Sequence, residues 1–275
     1  MNDELGQRMK DQYEHRTRFF VPRRTYTIIR LDGKAFHTYT RGLQKPFDDG
    51  LSEDIDKAII EMLPEIQGVQ FAYTQSDEIS LLLTDFATPN TDAWFDGNIQ
   101  KMASVSASII TAEFNKLRWQ RFINKHSINL LGVENSTAYF DSRSFTIPDR
   151  TEVMNYFIWR NQDCARNSVS MVAQSLFSHK ELQGKSTAEM QEMMFQKHGI
   201  NWAEYDQAKK NGRLIVKEEY ELDDTAKLLI KHKETAREVF GVSDVVVKRT
   251  RWVSKPAWKF TENKDGLLAM IPYYQ

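Results

Sequence analysis

The sequence is poor in the features that announce the commonest chemistries. A single cysteine, Cys164, excludes a disulfide within the chain and suits a reducing compartment, so a cytoplasmic location is expected. His126, His179 and His198 stand at no metal-ligand spacing, which argues against a zinc centre. No Gly-x-x-x-x-Gly-Lys-Ser/Thr run occurs, so a P-loop phosphate cradle is excluded. No apolar run approaches the length of a membrane span, and the opening Met-Asn-Asp-Glu-Leu lacks the basic-then-apolar form of a signal peptide. No membrane partner is expected. Charge of one sign is also missing: 37 basic against 38 acidic residues leave a net charge of −1. A nucleic-acid partner would have to be met by a local basic surface. Internal repeats and low-complexity tracts are absent.

What is present reads as alternating elements within 275 residues, enough to bury a sizeable core. Residues 1–20 carry Arg8, Lys10, Arg16 and Arg18, and Leu5, Met9 and Tyr13 share a helical face, which suggests a short docking helix with a basic solvent side. Thr25 to Asp32 alternates like a strand. A helix follows from about Leu51, with Ile55, Ala58, Ile59 and Met62 on one stripe. Phe71-Ala-Tyr73 and Ile79-Ser-Leu-Leu-Leu83 flank the polar turn Gln75 to Glu78, a hairpin signature. A long helix begins near Trp94 or Asn98 and runs to about Arg121, and its small residues, Ala103, Ser104, Ser106, Ala107 and Ser108, suit close packing on a sheet. A strand over 136–145 comes next, then a helix opened by an Asp149/Glu152 capping box. The order βαββαβ predicts an α+β, ferredoxin-like antiparallel sheet with helices on one face. The C-terminal part is less legible: helices near 189–195 and 227–240, a short strand at 213–217, and a basic, aromatic stretch over 248–260. The expected division is a catalytic unit over 1–178 and an extension over 179–275 packed on it.

Three acids lie at strand ends: Asp32, Asp77 and Glu78. Arg30 and Asp32 share one face of their strand. If the acids converge they need a cation, and hard divalent ions with phosphate substrates prefer such oxygen donors. An acidic pair at a turn is, on the motif alone, more often only solvated surface. Lys34, Lys45, Lys101 and Arg143 would sharpen the picture if they gathered round the acids, as a triphosphate requires. Ser76 could donate to phosphate or cap the turn.

Six ordered motifs then become specific together: Leu5-Gly-Gln-Arg-Met-Lys-Asp-Gln-Tyr-Glu14, Arg30-Leu-Asp-Gly-Lys-Ala-Phe-His37, Lys45-Pro-Phe-Asp48, Gln75-Ser-Asp-Glu78, Phe140-Asp-Ser-Arg143 and Trp159-Arg-Asn-Gln-Asp-Cys164. They resemble the tRNA-His guanylyltransferase superfamily and its Thg1-like proteins, the 3′–5′ RNA polymerases, over at least residues 5–170. The resemblance implies a polymerase-type palm assembled as a dimer of dimers, a homotetramer. It implies Mg²⁺, two or more ions, on Asp32, Asp77 and the Gly33 carbonyl, with Glu78 supporting. It places Gly33, Lys34, Ala35, Phe36 and His37 in the loop beneath a nucleoside triphosphate, and Lys45, Asp48, Ser76, Lys101 and Arg143 among triphosphate-binding or site-holding positions, with Arg30 beside them. The implied substrates are tRNA, GTP or another NTP, and ATP where a 5′-monophosphate must be activated. Eukaryotic guanylyltransferases carry His-Ile-Asn-Asn where this chain reads Ala165-Arg-Asn-Ser168. The missing histidine resembles the Thg1-like branch, which repairs 5′-truncated tRNAs by templated addition. Arg166, Asn167, Lys209, Lys210, Lys248, Arg249 and Arg251 are the candidate RNA contacts, in the last three with Trp252 and Trp258 as stacking or core residues.

Two other classes remain open at this point. A nucleotidyl cyclase uses the same two strand-borne aspartates, and a binding-only RNA module uses the same fold. The second lacks the Lys/Arg-Gly-Phe-Gly-Phe run that stacks bases.

Overall fold

The computed structural model describes residues 3–126, 137–221 and 248–274. The expected helix over 227–240 and the first residue of the expected 136–145 strand lie outside the described residues, as does the side chain of Lys248.

Strand β1 (Tyr26–Gly33) is built from β-branched and aromatic residues whose first four positions are all buried. It lies between β3 (Glu78–Thr84) and β4 (Phe140–Ile147), and β2 (Val69–Gln75) pairs with β3 through a two-residue turn at Ser76 and Asp77. The order β4-β1-β3-β2, antiparallel throughout, is the one a βαββαβ chain produces. Two further strands, β5 (Arg213–Glu221) and β6 (Lys248–Pro256), extend the same sheet at its β2 edge to six strands. The short strand expected at 213–217 is thus nine residues long, and the basic, aromatic stretch begins as the edge strand.

Alternation along β1 sends Ile29 and Leu31 to one face and Tyr26 and Ile28 to the other. The first face is covered by the two crossover helices, α3 (Asp49–Met62) and α4 (Ile99–His126), through Ile55, Ile59, Met62, Met102, Ile110 and Phe114. Both lie on one face, as expected. The second face is covered as well: α5 (Arg150–Leu176) lays Val153 and Phe157 on Ile28, Phe71, Tyr73 and Leu82, and Phe260, Leu267 and Ile271 from the chain's end complete that layer. A sheet roofed on both sides explains why β2 and β3 read as nearly continuous apolar runs. The small residues of α4 do let it approach closely, and Ser106, fully buried, meets Ser142 on β4 at 2.8 Å.

Polar groups fix the helices. Asp48 caps α3, and Asp149 caps α5 by accepting from Thr151 and Glu152. Glu152 accepts from Asn155, at 2.9 Å. Asp54, 2 % exposed, receives Arg118 and Arg121 at 2.8–2.9 Å and ties α3 to α4. The remaining helices are α1 (Glu4–Met9), the single turn α2 (Phe36–Tyr39), α6 (His179–Leu182), α7 (Thr187–His198), α8 (Gln207–Asn211) and α9 (Lys264–Met270). The N-terminal helix forms, but among the described residues it buries nothing: α1 has no buried residue, and Leu5, Met9 and Tyr13 are exposed together with Phe19 and Phe20.

Candidate active site

β1 delivers Asp32 and Gly33 to the end of the sheet at which the β2–β3 hairpin turns. Gly33 has no room for a side chain, because a Cβ would lie 2.2 Å from the Phe36 ring. That ring is pinned in a cluster with Phe140 and Phe114, at 5.1 and 5.8 Å between centroids. Phe36 is therefore a core anchor for the loop, and only its backbone faces the positions expected beneath a triphosphate. The loop is held in shape by Lys34 N–H donating to Tyr139 O at 2.8 Å and by Ala35 in the left-handed region, φ 54°. Lys34, His37 and Lys45 have exposed side chains.

At the hairpin, Ser76 also takes a positive φ, 49°, a strained choice for serine and one concentrated at functional turns. Its hydroxyl donates to Asp77 at 2.9 Å. Burial, with Asp32 and Glu78 nearby, pushes the Asp77 carboxyl up to about 6. Burial and the charge of Glu78 raise Asp32 too, against the lowering influence of Arg30 and Arg143. Among the described residues no lysine or arginine lies within ion-pair distance of either aspartate. Asp32 and Asp77 line one cleft of about 370 Å³, walled by Phe47, Asp48 and Leu51 on the α3 side and Asn167 and Met171 on α5. Asp48 accepts from Leu51 N–H at 2.7 Å and Gln44 N–H at 3.2 Å, so it shapes the cleft by capping α3.

Glu78 differs from the other two acids. Arg160 on α5 grips it with two hydrogen bonds of 2.7 and 2.8 Å, and Arg30 Nε approaches to 3.5 Å. Among the described residues no group of three or more His, Cys, Asp or Glu side chains is arranged to hold a metal ion. The converging acids are a pair, with the third already neutralised.

The basic residues gather only in part. Arg143 is exposed, 3.2 Å from Asp141 on the strand beside Asp32. Lys101 stands elsewhere: it lies in the first turn of α4 beside Asn98 and Phe95, where the chain meets Phe19 and Val21, with its ammonium 5.7 Å from the Phe95 ring. It does not converge on the acids within this chain. Among the expected RNA contacts, Asn167 and Lys209 line the cleft, and Lys209 reaches across it to Asp49 at 3.0 Å. Arg166 pairs with Asp163, and Lys210 bonds Ala203 O. Arg249 and Arg251 lie exposed on the edge strand β6, opposite Tyr220 and Glu218. The aromatics of that stretch serve the core: Phe260 is fully buried, and Trp252 and Trp258, partly buried, pack on the two cores.

Arg160 had no role assigned from sequence, though a signal was there. It falls on the buried stripe Val153, Phe157, Arg160, Cys164 of α5, and a guanidinium on an apolar stripe requires a buried acid. Burial holds the thiol of the cysteine on that stripe up at about 11, against the lowering influence of a hydrogen bond with Tyr73.

Comparison with known proteins agrees with this geometry. A family model described as tRNAHis guanylyltransferase, Thg1, matches residues 6–148. A bacterial Thg1-like protein solved in complex with ATP is 34% identical with a TM-score of 0.79, covering 99% of this chain and 100% of that one. A bacterial Thg1-like protein in complex with GTP gives 33% and 0.75, with 98% and 99% covered. The tRNA(His) guanylyltransferase of Debaryomyces hansenii is 27% identical over 263 residues, 89% of this chain and 95% of its own. The chain belongs to the tRNAHis guanylyltransferase family and is a nucleotidyltransferase.

Proposed function

We propose that the protein is a templated 3′–5′ nucleotidyltransferase that adds nucleotides to the 5′ end of tRNA, repairing 5′-truncated ends. The observation that carries this reading is the pair Asp32 and Asp77, both raised by burial and by neighbouring acids, at one cleft and without a protein cation. Two hard oxygen donors, with the Gly33 carbonyl beside them, fit Mg²⁺, which typically takes one or two carboxylates and completes its shell with water and phosphate oxygens. When bound there, such ions supply charge neutralisation on the triphosphate and a more acidic attacking hydroxyl.

The chain's own residues then have stated tasks. The loop from Gly33 to His37, fixed by the buried Phe36 ring, presents its backbone to the triphosphate, with Lys34, Lys45 and Arg143 as exposed positive charges and Ser76 as a hydroxyl donor. Lys101 would take part only if a second copy of the chain brought it in, as the homotetramer implied by the family resemblance allows. The exposed Leu5, Met9, Tyr13, Phe19 and Phe20 offer that assembly an apolar surface. In the reaction the 3′-hydroxyl oxygen of the incoming nucleotide bonds the 5′ phosphorus of the RNA. Pyrophosphate leaves a 5′-triphosphate end, or AMP leaves an end previously adenylylated by ATP. Pairing with the opposite strand selects the base, so the protein need read none. No described helix is long and apolar enough to cross a membrane, and the lone reduced-type Cys164 supports a cytoplasmic setting.

A second reading, addition of a single G to full-length tRNA-His, is favoured by the names of the curated relatives. Extension assays with labelled GTP separate the two. Full-length and 5′-truncated tRNA, each with a monophosphate or triphosphate end, are the four substrates. Repair predicts template-dependent extension of the truncated molecules at the higher rate. Non-templated addition confined to full-length tRNA-His would overturn it, and a cyclic product would point to a cyclase.

A further inference from the structure

Arg160 and Glu78 form a buried pair that the transfer reaction does not by itself require. Arg160 is 5 % exposed, and its Nε and Nη2 donate to the two Glu78 oxygens at 2.7 and 2.8 Å. Nη2 also donates to Asp163 at 2.6 Å, and the guanidinium lies 4.2 Å from the centre of the Trp159 ring, which fixes its plane. Gln75 adds a long contact to Oε1 at 3.4 Å. A carboxylate held this way has little to offer a dication, which would have to break a buried, charge-assisted fork and then sit beside the guanidinium.

The placement of the pair explains its use. Glu78 follows Asp77 directly and pairs with Gln75 across the turn. Arg160 comes from α5, the opposite roof of the sheet. The fork therefore fastens the hairpin tip to α5 at the residue next to Asp77.

We propose that Glu78 is not a cation ligand but half of a neutral clamp with Arg160, which removes the third negative charge from a site that must also accept a triphosphate. This rests on the reading of Asp32 and Asp77 as the cation pair. The clamp makes a prediction that neither a ligand nor a plain structural bridge makes. Glu78→Gln leaves the buried guanidinium beside the site with Asp163, which Arg166 shares, as its remaining acid, and the excess positive charge opposes a divalent ion. Removing Arg160 as well takes that opposition away.

The test is Mn²⁺ affinity of the full-length, nucleotide-free protein, measured by electron paramagnetic resonance of free Mn²⁺. The wild type is compared with Glu78→Gln, with the double variant Glu78→Gln/Arg160→Gln, and with Asp77→Asn. Asp77→Asn should weaken binding about tenfold or more, as should Glu78→Gln, while the double variant returns to within about threefold of wild type. A second double variant, Glu78→Met/Arg160→Leu, removes the same charges with apolar side chains and serves if the first folds poorly. A double variant as weak as Glu78→Gln would make Glu78 a ligand and overturn the clamp. Unchanged affinity in Glu78→Gln would reduce the pair to a bridge within the fold, which also overturns it. Wild-type affinity in Asp77→Asn would instead overturn the cation reading beneath it.

Discussion

Asp77 is a carboxylate kept where its charge is unwelcome, which in the proposed function a cation would relieve. Its folded value of about 6 lies above the ordinary 3.8, so the cation-free protein holds that proton more tightly than the unfolded chain does. The associated stability is fully present below pH 3.8 and is lost as the pH rises through about 6. At neutral pH the charged Asp77 costs the cation-free fold of order 3 kcal/mol. Asp77→Asn should therefore raise the melting temperature in EDTA at pH 7.5 and leave it nearly unchanged at pH 4. With Mg²⁺ present the gain should shrink, because only the wild type profits from the ion. Equal stability of the two proteins at pH 7.5 in EDTA would contradict this. Nearby, Gly33→Ala should push the Phe36 ring out of its cluster, costing roughly 1–3 kcal/mol in denaturant melts and reducing transfer through the displaced loop. The places of Asp32, Asp77 and Ser76 at a strand end and a turn were legible in the sequence, because strand ends and a two-residue turn fix where such residues emerge. The fate of Glu78 was not, since its partner lies 82 positions away on another element. Proximity in sequence made Asp77 and Glu78 look equivalent, and one guanidinium separates them.

At the scale of elements, α3 carries both a wall of the cleft and the cap residue Asp48, so whatever holds α3 in place also holds the site. Asp54 is that hold, buried beneath two arginines of α4. Asp54→Ala leaves Arg118 and Arg121 without their buried partner and should destabilise the protein by about 3–5 kcal/mol. Chemical denaturation measures it, and a loss under 1 kcal/mol would show the bridge to be incidental. Strands and helices were readable from period and capping, because one face of each had to be apolar. Two elements escaped. The apolar stripe of α5 says that it is buried but not on which face of the sheet, and the ferredoxin-like order says nothing of a third helix covering the opposite face. The amphipathic α1 reads as a docking helix from its spacing, yet spacing cannot say whether the surface it needs belongs to its own chain.

For the whole molecule, the decisive feature is a single sheet to which the end of the chain returns. β5 pairs with β2, Arg213 grips Asp56 on α3 at 2.6 Å, and Tyr73 donates to Asn211 O at 2.8 Å. Phe260, Leu267 and Ile271 cover Phe71 and Tyr73. A chain ending at residue 178 would bare the β2 edge and half of the second core. It should fail to give a cooperative thermal transition and should associate or precipitate, whereas a sharp monomeric melt would show that 1–178 folds alone. The sequence could suggest a C-terminal strand at 213–217, but not its address: pairing partners 140 residues apart leave no local mark.

The central claim, that Asp32 and Asp77 together hold the cation on which transfer depends, is tested most directly by single-turnover addition of a labelled nucleotide to 5′-truncated tRNA. Wild type, Asp32→Asn and Asp77→Asn are compared, with tRNA affinity measured on the same samples. Each variant should lose about a thousandfold or more in rate while binding tRNA within about threefold of wild type. A variant that keeps a tenth of the wild-type rate, or loses rate only in proportion to tRNA binding, would contradict the account.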